Sequence, residues 1–340
     1  MLGRPLIRSA RGLLFQTDSK HCSSVVQDLN ARSRRRSMYP RRKLTSVEKS
    51  LLDIPLDDAR ASLFRSCTGR LIYASLDRPD LGHVVKVLAG EMQKPTEAGW
   101  LQLDAVARYL VDRESIITSY EPEFESGHVY GTVKGFCDAD WAGGSDRKST
   151  SGGCISWCGM ILGHWSRTQS TYALSTCESE FHSSVSCVQE GLYTVGILEE
   201  LGFTTKLFFF SDSSAALGLM QQPGVSRPMR HLEVKYLFIQ ELLYLGKIRA
   251  SKIDGLKNCS DILTKLPTKD MLDHHLAMFS LMFVPAEMAL SSSAKAVKIT
   301  KASSVVVVVV VVVFVLVVVV VVAVVLVTFL DNHHIHVSYV

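Results

Sequence analysis

Two stretches of the chain repeat apolar residues at helical spacing. Leu81, Val85, Leu88 and Met92 recur at i, i+4, i+7 and i+11, and Trp100, Leu103, Ala107 and Leu110 at i, i+3, i+7 and i+10. Each set lies along one face of an α-helix. Pro95-Thr96 separates them, with Thr96 placed to cap the second helix. The spacing predicts a helical hairpin that needs a partner surface. From Gly131 the pattern changes: Val133 to Cys137, Gly153 to Trp157 and Met160 to Trp165 read as short strands around glycine-containing turns. A long helix starts near Thr176, with Phe181, Val185, Val188, Leu192 and Val195 on one face. Leu207-Phe208-Phe209-Phe210 is continuous enough in apolarity to be a buried strand. Helices come next from Ser213 to Met220 and from about His231 to Leu245; Ile248 to Ile253 alternates as a strand, and a last helix starts near Asn258. The order β-β-β-α-β-α-α-β-α predicts an α/β fold with a mixed sheet, an antiparallel meander at one side and parallel pairing at the other.

Both ends differ from this middle. Residues 1–50 hold twelve Lys/Arg against Asp18, Asp28 and Glu48, a balance of +9, whereas the whole chain carries +4. The chain beyond the basic stretch is therefore slightly acidic. Arg34-Arg35-Arg36 and Arg41-Arg42-Lys43 in an acid-poor, Ser-rich segment fit a transit peptide, a nuclear-import patch or an unstructured solvated arm over 1–55, and the last is the expectation carried forward. Between Val305 and Val327 every residue is valine except Phe314, Leu316, Ala323 and Leu326. A helix over 305–330 would reach about 39 Å, enough for a ~30 Å hydrocarbon core. Two readings stand: a membrane anchor behind a 286–304 linker with a 331–340 tail, or a low-complexity tract with no selected role. An apolar content of 47% in 340 residues excludes a fully disordered chain. Eight scattered cysteines do not form a secreted disulfide framework, and Cys154, Cys158 and His164 read as buried groups rather than a zinc site.

Four acids stand out by position. Asp138 lies near the end of the first strand and Asp212 just after the Phe-rich strand, and the carboxyl ends of strands are where open α/β sheets bind ligands. Glu180 falls in the first turns of the long helix and Asp261 near the start of the last. Converging carboxylates need an offsetting cation, and hard oxygen donors suit Mg²⁺. Two such ions can activate a water and stabilise a leaving oxygen in phosphodiester cleavage. Structural readings stand beside this. Ser175 to Glu178 fits a capping box, with the Glu178 carboxylate returning to the Ser175 amide. Asn258 to Asp261 reads as an N-cap followed by an acid in a favourable helix field. Asp140 reads as a turn residue and His231 as a helix-start residue.

At these residues the sequence resembles a known family. Gly135-Phe136-Cys137-Asp138-Ala139-Asp140-Trp141-Ala142-Gly143, then Asp146-Arg147-Lys148-Ser149-Thr150-Ser151-Gly152, resembles the ribonuclease H domain that closes the Pol polyprotein of copia-type LTR retrotransposons. The resemblance continues through Ser175 to Phe181, Ser211-Asp212-Ser213-Ser214-Ala215-Ala216, Arg230-His231-Leu232-Glu233 and Asp261-Ile262-Leu263-Thr264-Lys265-Leu266-Pro267, and covers about 131–285. Upstream, Phe64 to Tyr73, Arg78-Pro79-Asp80, Pro95-Thr96 and Ala107-Arg108-Tyr109-Leu110 are similar to the end of the same family's reverse transcriptase. This implies a ribonuclease H-like mixed five-stranded sheet flanked by helices over 131–285, behind a helical reverse-transcriptase remnant over 60–125. It also implies catalytic, metal-binding roles for Asp138, Glu180, Asp212 and Asp261, with two Mg²⁺ ions (Mn²⁺ as substitute) and no organic cofactor. The implied reaction is hydrolysis of the RNA strand of an RNA–DNA hybrid, in the nucleus or cytoplasm, or at a membrane if 305–330 inserts.

The chain departs from the family pattern in places. The polymerase Tyr-x-Asp-Asp strand is missing, and Asp57-Asp58 after Ile54-Pro55-Leu56 does not replace it, so no DNA synthesis is expected. No histidine occurs from Ile253 to Ser260, so no general-acid histidine is assigned. Residues 131–285 carry fourteen Lys/Arg and fifteen Asp/Glu, so hybrid binding rests on local cations, with Arg147, Lys148, Arg227 and Arg230 as candidates. The competing reading is a catalytically silent transposon relic held in a membrane. Oligomeric state stays open.

Overall fold

The computed structural model describes residues 5–8, 12–120, 131–144, 146–222, 233–265 and 269–284. Strands β4 (Val133–Asp140), β5 (Thr150–Trp157), β6 (Met160–Thr168), β7 (Leu207–Ser211) and β8 (Ile248–Lys252) form one five-stranded sheet in the order β6-β5-β4-β7-β8. β4–β5 and β5–β6 are antiparallel, whereas β4–β7 and β7–β8 are parallel. This is the mixed sheet of the ribonuclease H-like class. Helix α5 (Thr176–Glu200) crosses it, burying Phe181, Val185, Val188 and Val195 against Val133, Ile155 and Phe209. Close approach depends on small residues: a Cβ on Gly135 would come within 2.6 Å of the Cys187 sulfur, and one on Gly191 within 2.5 Å of Leu207. Helices α6 (Ser214–Gln221) and α7 (Glu233–Tyr244) complete the crossover between β7 and β8.

The last helix begins later than the pattern predicts. Cys259–Leu263 is a 3-10 turn, capped by the Asn258 side chain on Ser260 N, and α8 runs over Lys269–Met278. The turn is too short to be read from periodicity, and its five residues are all buried.

Of the stretch 1–55 expected to be a solvated arm, the described residues 5–8 and 12–55 fold instead. Strands β1 (Leu6–Arg8) and β2 (Leu13–Gln16) pair with each other, β2 pairs in turn with β3 (Ser115–Tyr120), and helix α1 (Lys20–Asp28) buries Cys22, Val25 and Val26. Arginines that make this stretch look disordered are held in ion pairs: Arg32 with Glu114, Arg34 with Asp104 and Arg36 with Asp112, all distant in the chain, and Arg42 with Glu48 within the stretch itself. Helices α2 (Asp58–Ser75), α3 (Pro79–Gly90) and α4 (Glu97–Leu110) share one core with α1. Thr96 caps α4, accepting from Gly99 N at 3.1 Å.

A boundary near 125–131 does not separate two cores. After α8 the chain returns as β9 (Leu281–Val284), antiparallel to β3. The upstream helices share one apolar cluster with Cys154, Cys259, Ile262, Leu263, Leu272, Leu276 and Phe279. At the seam, Arg78 donates Nε and Nη2 to Asp80 at 2.9 and 2.7 Å, and Tyr109 donates its hydroxyl to the same carboxylate at 3.0 Å. The Phe283 ring of β9 lies 5.6 Å from the Arg78 guanidinium. The run over 305–330, with the segments 286–304 and 331–340, lies outside the described residues; among the described residues no helix is long and apolar enough to cross a membrane.

The buried charges generate two predictions. Asp80→Ala leaves Arg78 buried without its partner, so urea unfolding should show a loss of about 3–5 kcal/mol. His83 of α3 is pushed down to about 3 by burial and by the neighbouring Arg41 and Lys86 charges. An unfolded histidine titrates near 6.5, so between about pH 6.5 and 3 the unfolded chain binds the extra proton and stability falls as pH drops. Buried carboxylates with raised values act in the opposite sense, so the effect is read against a variant. Wild type should lose stability relative to His83→Gln by about 1.4 kcal/mol per pH unit below 6.5; a pH-independent difference would refute the assignment.

Candidate active site at the carboxyl end of the sheet

The five-stranded sheet places Asp138 at the end of its central strand β4, and parallel pairing brings Asp212, one residue past β7, alongside. Ser183 of α5 donates its hydroxyl to the Asp138 carbonyl at 2.7 Å. That bond sets the helix on the strand end, and Glu180, one turn earlier, then overhangs Asp138. An oxygen from each of Asp138, Glu180 and Asp212 lies within 4.8 Å of the others. Among the described residues this is the one such group of potential metal ligands.

Asp261 stands beside this trio. The turn that carries it is tied to β4 by Asn258, which donates Nδ2 to the Cys137 carbonyl at 2.9 Å. It lies on β5 at Gly152, where an added Cβ would sit 2.6 Å from Thr264 Cγ2 and 2.9 Å from Leu263 Cβ. Gly152 is also the register partner of Asp138. Thr264 therefore reaches the site, and its hydroxyl donates to Asp138 Oδ2. One residue on, Lys265 places Nζ 3.1 Å from Asp261 Oδ1 and 3.7 Å from Asp138 Oδ2.

The electrostatics are those of acids forced together. Glu180 is pushed up to about 9, by burial first and then by the Asp138 charge, and its Oε2 is buried without a hydrogen-bond partner. Asp261 is raised to about 7 by burial and Asp138, against the opposing pull of Lys265. Burial and Asp138 also raise Asp212 and Asp140. Acidic oxygens at such spacing, with one already unpartnered, form a ready cradle for a hard cation.

The other sequence candidates are distributed around this centre. Arg147 is exposed on the β4–β5 loop at a left-handed φ of 62°, and Lys148 holds its ammonium 5.7 Å from the Tyr172 ring. Arg227, Arg230 and His231 lie outside the described residues. The capping box forms with a shifted bond: Ser175 accepts from Glu178 N at 3.2 Å, but the Glu178 carboxylate accepts from the Leu174 amide at 2.8 Å instead of the Ser175 amide. Cys154, Cys158 and His164 do not converge on a metal; Cys154 lies 3.2 Å from the Cys259 sulfur, and His164 Nε2 meets the Ser75 carbonyl at 2.9 Å. Reasoning from sequence gave no role at the site to Ser183, Thr264 or Lys265, and read Asn258 only as the cap that it forms, not as the tie to β4. The i, i+4 spacing of Asp261 and Lys265 was the available signal for the lysine.

Fold and acidic trio together define a ribonuclease H-like α/β protein fused to an upstream unit with its own four-stranded sheet. No family model matches the chain. It is 25% identical over 280 residues to the retrovirus-related Pol polyprotein from transposon TNT 1-94 of Nicotiana tabacum, covering 80% of this chain and 21% of that polyprotein. It is 35% identical over 141 residues to secreted RxLR effector protein 161 of Plasmopara viticola, covering 38% of this chain and 89% of that protein. Among solved structures, an N-terminal RNase H domain from Mycobacterium tuberculosis, fused to maltose binding protein, aligns at a TM-score of 0.30 and 13% identity, covering 43% of this chain and 97% of that one. The chain's homologues include copia-type, retrovirus-related Pol polyproteins of plant transposons. The chain spans about a fifth of the length of the tobacco polyprotein.

Gly152 supplies a test of the packing that builds the site. Gly152→Ala must push the Asp261 turn off β5, so the urea midpoint should drop by about 1–3 kcal/mol equivalent. Unchanged stability would show that the turn does not bear on the strand.

Proposed function

We propose that the chain hydrolyses the RNA strand of RNA–DNA hybrids with divalent cations held by Asp138, Glu180 and Asp212, extended by Asp261. The observation that carries this reading is the convergence of three carboxylates, from β4, α5 and the end of β7, within 4.8 Å. The donor set fits a hard cation: all ligands are carboxylate oxygens, Glu180 Oε2 has no partner, and the Lys265 ammonium is already drawn to Asp138 and Asp261. Bound there, Mg²⁺ or Mn²⁺ would activate water and stabilise the leaving oxygen. Water adds to phosphorus as the bond to the 3′ oxygen breaks, leaving a 3′-hydroxyl and a 5′-phosphate. The chain's own part is to fix the oxygens. Thr264 holds one face of Asp138, Ser183 fixes the helix that carries Glu180, and Lys265 offsets the surplus negative charge.

A hybrid also needs a surface to lie on. An open groove of ≈ 460 Å³ runs between the end of β6, the start of α5 and α7, lined by Arg167, Thr168, Ser170, Thr171, Gln189 and Lys235. Cations and hydroxyls of this kind suit backbone phosphates and sugars, and a duplex with 2′-hydroxyls is recognised by shape rather than base edges. Arg147 adds an exposed charge, and Lys148 a half-buried one, on the loop between β4 and β5.

The test uses the full chain, because β9 and the shared core make 131–285 inseparable from the upstream unit. Labelled RNA–DNA hybrid should be cut in Mg²⁺, and Asp138→Asn should lower the rate at least about 100-fold. A folded wild-type chain that cuts nothing in either Mg²⁺ or Mn²⁺ returns the reading to a catalytically silent relic.

A further inference from the structure

We propose that Arg41 and Lys86, both supplied by the upstream unit, bind a backbone phosphate of the nucleic acid beside the carboxylate trio. The inference rests on the nucleic-acid reading above and assigns part of its binding site to residues outside the ribonuclease H-like sheet.

Lys86 projects from α3 and donates Nζ to Thr150 Oγ1 at 2.8 Å. Thr150 opens β5 and is the register partner of Asp140, which shares a face of β4 with Asp138, two residues earlier. The Lys86 ammonium is thus fixed at the rim of the acidic site. Arg41 reaches the same rim from the chain ahead of α2, and its guanidinium meets the Nε2 of His83. His83 is buried and held neutral, so that nitrogen serves as an acceptor and orients the guanidinium. Arg41, His83 and Lys265 line one small crevice between α3 and the Asp261 turn. Cations from the two units therefore meet at the rim of the acids, Lys265 from the Asp261 turn and Arg41 with Lys86 from the upstream unit.

The lack of a counter-ion sets this pair apart. Arg32, Arg34, Arg36 and Arg42 all close ion pairs with carboxylates, whereas neither Arg41 nor Lys86 has a carboxylate within salt-bridge distance among the described residues. Both are half-buried, and burial lowers both their pKa values, with Arg41 lowering Lys86 further. Asp140 acts on both, and Asp146 on Lys86, only at longer range. Two cations held close together, partly dehydrated and lacking an ion-pair partner, are stabilised by an anion between them. A phosphodiester matches them chemically: its two free oxygens suit the arginine fork, and a second charge suits the compact lysine. Their place at the rim makes that phosphate a neighbour of the one over the trio.

The experiment measures binding of the full chain to a fluorescent RNA–DNA hybrid in EDTA, where cleavage cannot occur, across a KCl series. Lys86→Gln and Arg41→Gln should each weaken binding and reduce the slope of log K against log [salt] by about 0.9, and the double variant by about 1.8. Lys86→Arg, which keeps the charge, should retain the wild-type slope, separating a phosphate contact from a folding defect. Variants with wild-type melting temperature, wild-type affinity and an unchanged slope overturn the inference while leaving the hybrid reading intact. A wild-type chain that does not bind hybrid at all overturns both.

Discussion

Negative charge crowded at one end of a sheet is the constraint on which the rest of this structure depends. Asp138 is almost wholly buried, and Glu180, Asp212 and Asp261 all feel its charge. Burial and like-charge repulsion both favour the neutral acid, so the arrangement survives only because the packing below holds it. The packing does so with small residues: Gly135, Gly152, Ser183 and Gly191 occupy the places where helix α5 and the Asp261 turn come closest to the strands. At Gly135 and Gly191 a larger side chain would meet the opposing element, and at Gly152 the turn that carries Asp261. The geometry of the charges is therefore set by apolar contact, and the hydroxyl of Thr264 and the ammonium of Lys265 only moderate what that contact imposes.

That same contact ties the ribonuclease H-like sheet to the upstream unit. The turn carrying Asp261 is buried against α3: a Cβ at Gly82 would meet Leu263 Cδ2 at 3.1 Å, and Ile262 and Leu263 belong to the cluster formed by the upstream helices. β9 then completes the upstream sheet, with its Phe283 ring against the guanidinium groups of Arg78 and Arg113. The upstream unit consequently forms one wall of the turn that supplies the fourth acid.

The mixed sheet was legible because its signals are local and redundant. Strand alternation, an unbroken Leu207 to Phe210 run and the face of α5 each specify one element, and few topologies join them with short connections. Asp138 and Asp212 were legible for the same reason, since strand ends in an open sheet announce themselves. The failures share a different cause. Residues 5–55 looked solvated because composition counts arginines without seeing Glu114, Asp104 and Asp112, more than sixty residues away in the chain. β9 is four residues long and pairs with a strand some 160 residues earlier, so no window of sequence contains both. The Asp261 turn was read as a helix because Asn258 carries a genuine cap signal; the cap forms, but on a 3-10 turn.

The distribution of charge has a consequence for how any nucleic acid would be held. The first fifty residues carry +9, but Arg32, Arg34 and Arg36 close ion pairs with acids of the remainder, which is itself acidic, so the whole chain carries only +4. Little diffuse positive field is left to draw in a polyanion at long range. Affinity would then come from a few cations at fixed positions: Lys235 in the groove, where Arg167 already pairs with Glu190, Lys148 against Tyr172, and the pair at the rim of the acids. A surface of that kind discriminates by geometry more than by charge. On the proposed reading, it would offer counter-ions along one path of a bound backbone and repel phosphate elsewhere, so that the acids would contribute to selectivity.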